Sequence, residues 1–291
     1  MSTRNNAKPR RLRRFRPTER DLDLVREVWD AGMATREHLQ RLYFGDANRS
    51  RAQTRVKLLR DNGYLEQVPG RWPNEPAIYV VSKRAARMLN LGADESRQRS
   101  WGVSHARLEH SMAIAECRVQ TILSCRESSL DLVRWIGESD LRPLTTTSGI
   151  LPDAFFQLER QTPEGIRKSG FFLEVERTEK SERALRNKLS ALGTYYYGGG
   201  FERDFESKAL RILVLVHPEP GGSGERLVRR VAGLGRLMGM TLLFVTELEM
   251  FRQTPASELF YKPIWSQPGM TGPVALFQEG GAVHERQQDA A

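Results

Sequence analysis

Leu151-Pro-Asp-Ala-Phe-Phe-Gln-Leu158 and Phe171-Phe-Leu-Glu-Val-Glu-Arg177 decide how this chain folds. Both stretches are apolar, short and strand-like, yet both carry acids. A strand inside a sheet core reads Val, Ile, Leu and Phe, with polar residues reserved for a wet face. Here Asp153 sits at the mouth of the first strand, and Glu174 and Glu176 lie in the body of the second. Residues i and i+2 of a strand share a face, so both glutamates point one way and Leu173 and Val175 the other. If the strands are neighbours, three carboxylates converge. Like charges repel and desolvation is costly, so carboxylates are not gathered for stability. A hard divalent cation, which takes oxygen ligands, is the usual reason.

Around these strands the pattern implies a helix over about 104–125, with Leu108, Met112, Ala115, Val119 and Ile122 as its apolar stripe and Glu109 and Glu116 on its flank. Strands are expected at about 131–136, 152–158 and 171–177. A helix over 179–197 ends at Gly198-Gly-Gly200. A strand at 210–216, a helix at 224–237 and a strand at 241–245 follow. The order αβββαβαβ predicts an α/β fold (α+β over the whole chain), a mixed sheet with helices on both faces. The chain beyond about 265, rich in Gly, Gln and Pro, reads as loose.

The net charge of +9 is localised. Residues 1–60 hold 16 Lys and Arg against 7 Asp and Glu, and the other 231 residues hold 29 of each. A localised basic field suits a polyanion, because neutralising phosphates releases counterions. Residues 1–16, with Arg10, Arg11, Arg13, Arg14 and Arg16, show no apolar periodicity and read as a disordered basic tail. Pro17-Thr18 opens a helix with Leu22, Val25, Val28 and Trp29 as its buried face. Thr35 caps a second helix, and a third runs from about Asn48 to Asn62. A hairpin of Leu65–Val68 and Ala77–Val81 and a helix at 82–89 complete a winged helix-turn-helix. In that arrangement the third helix enters the major groove of double-stranded DNA. Its candidate contacts are Arg49, Arg51, Gln53, Arg55, Lys57 and Arg60, with Arg71 at the wing tip. The chain therefore divides into a tail (1–16), a winged-helix domain (17–91), a polar linker (92–103), the acid-bearing domain (104–250) and a partly disordered C-terminal extension (251–291).

Other classes are excluded. The longest apolar runs, 212–216 and 240–245, are too short to span a bilayer. The N-terminus has no apolar run of a signal peptide, so a cytoplasmic location with no membrane partner is expected. Cys117 and Cys125 fall roughly 12 Å apart along one predicted helix, too far for a disulfide.

The element order and acid positions resemble the PD-(D/E)XK nuclease superfamily. Pro152-Asp153 matches its Pro-Asp, and Glu174-Val175-Glu176 matches its acid but has glutamate where a lysine is usual. Some branches supply the lysine from the following helix, where Lys188 stands. The whole chain resembles the replication-relaxation family of plasmids and mobile elements. The resemblance rests on Asp61-Asn-Gly-Tyr-Leu65, Ile78-Tyr-Val-Val-Ser-Lys83, Leu108-Glu-His110, Leu151-Pro-Asp153, Phe172-Leu-Glu-Val-Glu-Arg177, and Lys188 followed by Tyr195. It implies a role in plasmid or mobile-element DNA maintenance. For an active nuclease it implies Mg2+ held by Asp153 and Glu174, Lys188 stabilising negative charge, and Glu176 as a further ligand or a structural partner. Glu109 or Glu116 would lend an acid, as in relatives. The alternative is a non-catalytic initiator or transcriptional regulator whose degenerate nuclease fold serves a homodimer or recruits other replication or mobile-element proteins. His105 and His110 read as surface or packing residues.

Overall fold

The computed structural model describes residues 15–68, 76–91, 105–145, 149–177, 182–218 and 221–278. The basic tail up to residue 14, the wing tip with Arg71, the linker and the last 13 residues lie outside them.

The winged helix comprises α1 (Glu19–Asp30), β1 (Ala34–Thr35), α2 (Arg36–Tyr43), α3 (Arg49–Asp61), β2 (Leu65–Val68), β3 (Ile78–Val81) and α4 (Lys83–Met88). Its strands form an antiparallel sheet in the order β1-β3-β2. Thr18 and Asp21 close a capping box on α1. Gly63, at φ +72°, ends α3, and Tyr64 N–H donates to Leu59 O at 2.9 Å, a left-handed stop that suits glycine. Leu24, Val25 and Val28 are fully buried while Leu22 is half-buried; the helix turns Leu24, not Leu22, into the core. Phe15 packs edge-on against Tyr64, with centroids 5.9 Å apart, so the domain already begins at Phe15.

The second unit runs α5 (His105–Glu127), β4 (Leu130–Gly137), α6 (Glu138–Thr145), β5 (Ala154–Thr162), β6 (Gly165–Glu176), α7 (Glu182–Tyr197), α8 (Gly200–Phe205), β7 (Leu210–Val216), α9 (Gly224–Leu237), β8 (Leu243–Glu247) and α10 (Leu248–Gln253). The five strands lie in the order β4-β5-β6-β7-β8. The first three are antiparallel, and β6, β7 and β8 run parallel. This is the αβββαβ frame of the PD-(D/E)XK fold behind a winged helix, elaborated by the short helices α6, α8 and α10.

Period-2 alternation splits the sheet residues between two cores. Phe155, Phe172, Ile212, Val214 and Val245 face α7 and α9, where Leu185, Leu189, Leu192, Leu227, Val231 and Leu234 cover them. Phe156, Phe171, Leu173, Leu213 and Phe244 face α5 through Ala113 and Cys117. The rest of that face is covered by the chain after α10. Phe251, Leu259, Phe260, Trp265, Leu276 and Phe277 are all buried there. Ser266 extends the edge of β8 by pairing with Val245. The expectation of a loose chain beyond 265 therefore fails as far as residue 278. Its Gly and Pro residues shape turns between aromatic anchors, so composition alone misread it.

Glu116, Arg118 and Gln120 on α5 are buried too. His38 Nε2 and Arg41 from α2 reach Glu116 at 3.0 and 2.8 Å, and Arg252 lies 3.7 Å away. Arg118 makes a two-pronged pair with Glu27 of α1 at 2.7 and 2.9 Å and stacks over Trp135 of β4. Arg126 donates to the Leu42 carbonyl. These contacts seat the winged helix directly on α5.

Candidate functional site

The β5–β6 register pairs Ala154 with Leu173, and Asp153 N–H donates to Leu173 O at 3.0 Å. Asp153 thus stands opposite Glu174 on the same side of the sheet, since directly opposed residues share a face. The backbone N–H of Val175 donates to Asp153 Oδ2 at 2.7 Å. His110 Nε2, from the start of α5, lies 3.1 Å from Asp153 Oδ1. Lys188, in the second turn of α7, donates to Glu174 Oε2 in an ion pair. Glu176 shares the face of Glu174, is equally buried, and adds its field at Lys188.

These groups tune one another. Burial pushes the Asp153 carboxyl up, but the hydrogen bond and charge of His110, the charge of Lys188 and the Val175 N–H outweigh it and hold it below the ordinary aspartate value. Burial works against the Lys188 ammonium; the charges of Glu174 and Asp153, with the Glu174 hydrogen bond and Glu176, overcome it and hold Lys188 above the usual lysine range. Asp153 is therefore held as a carboxylate and Lys188 as an ammonium at neutral pH.

The other acids of α5 are engaged elsewhere. Glu109 pairs with Arg177 at the end of β6, and Glu116 belongs to the contact with the winged helix. Glu116 is buried among these partners, and Glu109 is half-buried beside its arginine. Among the described residues no group of three or more His, Cys, Asp or Glu side chains gathers in a metal-holding arrangement.

On the winged helix, α3 turns Ala52, Val56 and Leu59 inward and exposes Arg49, Arg51, Gln53 and Lys57. Arg55 departs from that set. Its guanidinium makes a two-pronged pair with the fully buried Asp21 of α1. A buried carboxylate needs a cation, so Arg55 ties α1 to α3 instead of facing a ligand. Arg60 is bonded to Asp61 and Gln67 at the far end of the helix.

A family model described as replication-relaxation matches residues 25–204, more than half of the chain. The chain belongs to the replication-relaxation family. No curated protein and no solved structure matches it. Membership carries a general role in DNA replication and relaxation. The matched span contains the winged helix, α5, the Asp153–Glu174 pair and Lys188. Among the described residues no helix of this replication-relaxation chain is long and apolar enough to cross a membrane.

One member of the site escaped the sequence reading. His110 looked like a packing residue because its partner is 43 positions away, at the mouth of a strand that only the folded sheet brings to α5. Its place in Leu108-Glu-His110, at the start of the long helix, was the available signal.

Proposed function

We propose that this protein binds double-stranded plasmid or mobile-element DNA through α3 and nicks it in a Mg2+-dependent reaction at Asp153, Glu174 and Lys188. The observation that carries the reading is the meeting of Asp153, Glu174 and Lys188 on a PD-(D/E)XK frame joined to a winged helix.

The donor set fits the cation. Mg2+ is commonly bound by one or two carboxylates together with substrate phosphates and waters, and Asp153 and Glu174 supply two hard oxygen ligands on one face. A cation held there polarises a phosphate and lowers the pKa of a water. Lys188, charged and aimed at that face, stabilises negative charge growing on the phosphate. The Val175 N–H and His110 fix the orientation of Asp153. Glu176 keeps the field at Lys188 negative and so keeps the amine protonated.

The test is nicking of supercoiled plasmid by the full chain with Mg2+. Wild type is expected to convert it to open circles, and Asp153→Asn or Glu174→Gln to lose that activity by a factor of at least ~100. Cleavage that survives both changes would sink the assignment. The non-catalytic regulator is favoured by one observation: both acids already have a protein partner, Glu174 the Lys188 ammonium and Asp153 the His110 ring. It gains if wild type binds DNA yet leaves plasmid intact across divalent metals.

A further inference from the structure

The helices α7 and α9 carry their charge at one end. In α7, Arg183, Arg186 and Lys188 accompany Glu182 in the first two turns, and no charged residue follows through Tyr197. In α9, Arg226, Arg229 and Arg230 accompany Glu225, and only Arg236 follows. Arg183, Arg186, Arg226 and Arg229 are exposed. Cations at a helix N-terminus oppose the helix dipole, so the dipole does not account for this placement.

That charged end is the end of the sheet where the carboxylates lie. Along α7, Lys188 meets Glu174 and Tyr195 lies over Phe172, so the helix runs antiparallel to β6 and begins beyond the strand end. Along α9, a Cβ on Gly224 would collide with the Glu247 carboxylate and one on Gly235 with Leu243, so α9 likewise begins where β8 ends. The register links the rows: Glu176 is beside Val216, and Val216 beside Glu247. The two helices lie side by side on one sheet face. Packed neighbours are about 10 Å apart, close to the ~12 Å width of a major groove between phosphate ridges.

We propose that Arg183, Arg186, Arg226, Arg229 and Arg230 form a second DNA-contact surface, separate from α3, that holds the phosphate backbone of duplex DNA over the acidic strand ends. The physical need is clear. Asp153, Glu174 and Glu176 repel a polyanion, and a basic rim offsets that repulsion where the backbone must come closest. An acidic protein would meet the same repulsive floor without a phosphate to place there. Two ion pairs of the rim, Glu182 with Arg186 at 2.8 Å and Glu225 with Arg229 at 3.7 Å, are exposed and cost little to exchange for phosphate. The inference rests on the DNA reading above but not on cleavage.

The experiment measures binding of the full chain to a duplex of about 40 base pairs, in EDTA so that no cleavage is read, between about 50 and 200 mM salt. Replacing Arg183, Arg186, Arg226 and Arg229 together by Ala is expected to weaken binding roughly 10- to 100-fold and to flatten the log–log salt slope by about 3. The four Arg→Lys changes should keep the wild-type slope. A charge-matched control, Arg142, Arg167, Lys168 and Lys262 to Ala, should keep it too. Adding Arg51→Ala and Lys57→Ala to the first variant should remove a further, separate share. The proposal is overturned if the four-alanine variant binds with the wild-type slope, if the lysine variant loses the slope as well, or if the control loses as much. A silent Arg51 and Lys57 pair would instead count against the winged-helix contact alone.

Discussion

Lys188 sets the character of the carboxylate end. Glu174 is almost fully buried, and a buried carboxylate persists only beside a cation or strong donors. In the sequence, the segment after Pro152-Asp153 offers glutamate at position 176 where the resemblance leads one to look for a lysine. The structure puts an ammonium at the site from the next helix, because residue 188 falls on the inner side of α7 between Leu185 and Leu189, which anchor it to the sheet. Removing the amine takes away the cation that faces the Glu174 carboxylate. Breaking a fully buried pair costs about 3–5 kcal/mol, and Lys188 keeps a third of its side chain in solvent, so Lys188→Met is expected to cost about 2 kcal/mol. Adding Glu174→Gln should recover most of that loss, because the buried charge that Lys188 faced is then gone. Urea unfolding of the two singles and the double checks it; a Lys188→Met protein as stable as wild type would show that the pair contributes nothing.

At the scale of elements, α5 is where sequence and structure part most. Its apolar stripe was legible in part: Leu108, Ala115 and Val119 are buried as their spacing implies, Met112 and Ile122 are half-buried, and Ala113 and Cys117, which pack on the sheet, lie outside the stripe. The strands were legible, and their alternation put Glu174 and Glu176 on one face; that Asp153 joins them follows from the register of β5 on β6. What could not be read was that the polar flank of α5 is buried as well. Glu116, Arg118 and Gln120 look like a solvated face to a periodicity argument, and only the docking of the winged helix takes them out of water. Likewise Arg55 looked like its neighbours on α3, and only the buried Asp21 sets it apart. The Glu116 contact has a pH signature. Burial pushes this carboxyl up, but the hydrogen bond from His38, the charges of Arg41 and His38 and the Arg41 hydrogen bond bring it to about 2, against 4.5 for an ordinary glutamate. Arg252 faces it from α10. A carboxyl depressed on folding stabilises the native state above its unfolded value and loses that contribution as pH falls toward its folded one. Stability is therefore expected to fall between pH 4.5 and about 2, with Glu116 responsible for up to about 3 kcal/mol. Glu116→Gln should flatten that acid limb while costing stability at neutral pH, read from urea midpoints across the range. An unchanged acid limb in the variant would remove Glu116 from the account.

For the whole molecule, the consequence is mechanical unity. Domains joined by a polar linker usually move and melt separately, and the stretch between α4 and α5 is polar. Here α5 belongs to both cores. Ala113 and Cys117 pack on the large sheet, while Leu108 and Met112 join Met33, Val68, Ile78 and Val80 of the winged helix. The ion pairs of Glu116 with His38 and Arg41, and of Arg118 with Glu27, close the same seam. Helix α10 and the segment after it pack on α5 as well, Gln120 donating to the Arg252 carbonyl of α10. Neither unit can lose its native packing without exposing α5 to the other's loss. Helix α3 and the carboxylate end are thus held at a fixed relative position, as the proposed nick at a set distance from a bound site requires. Calorimetry is expected to show one cooperative transition for wild type, with calorimetric and van't Hoff enthalpies in agreement. Replacing Glu27 and Glu116 together by Ala removes the carboxylates that hold Arg118, Arg41 and His38 at the seam, and should resolve two transitions, the winged helix melting first because its core is the smaller. Two transitions in the wild-type protein would show that the seam does not couple the units, and the fixed spacing would go with it.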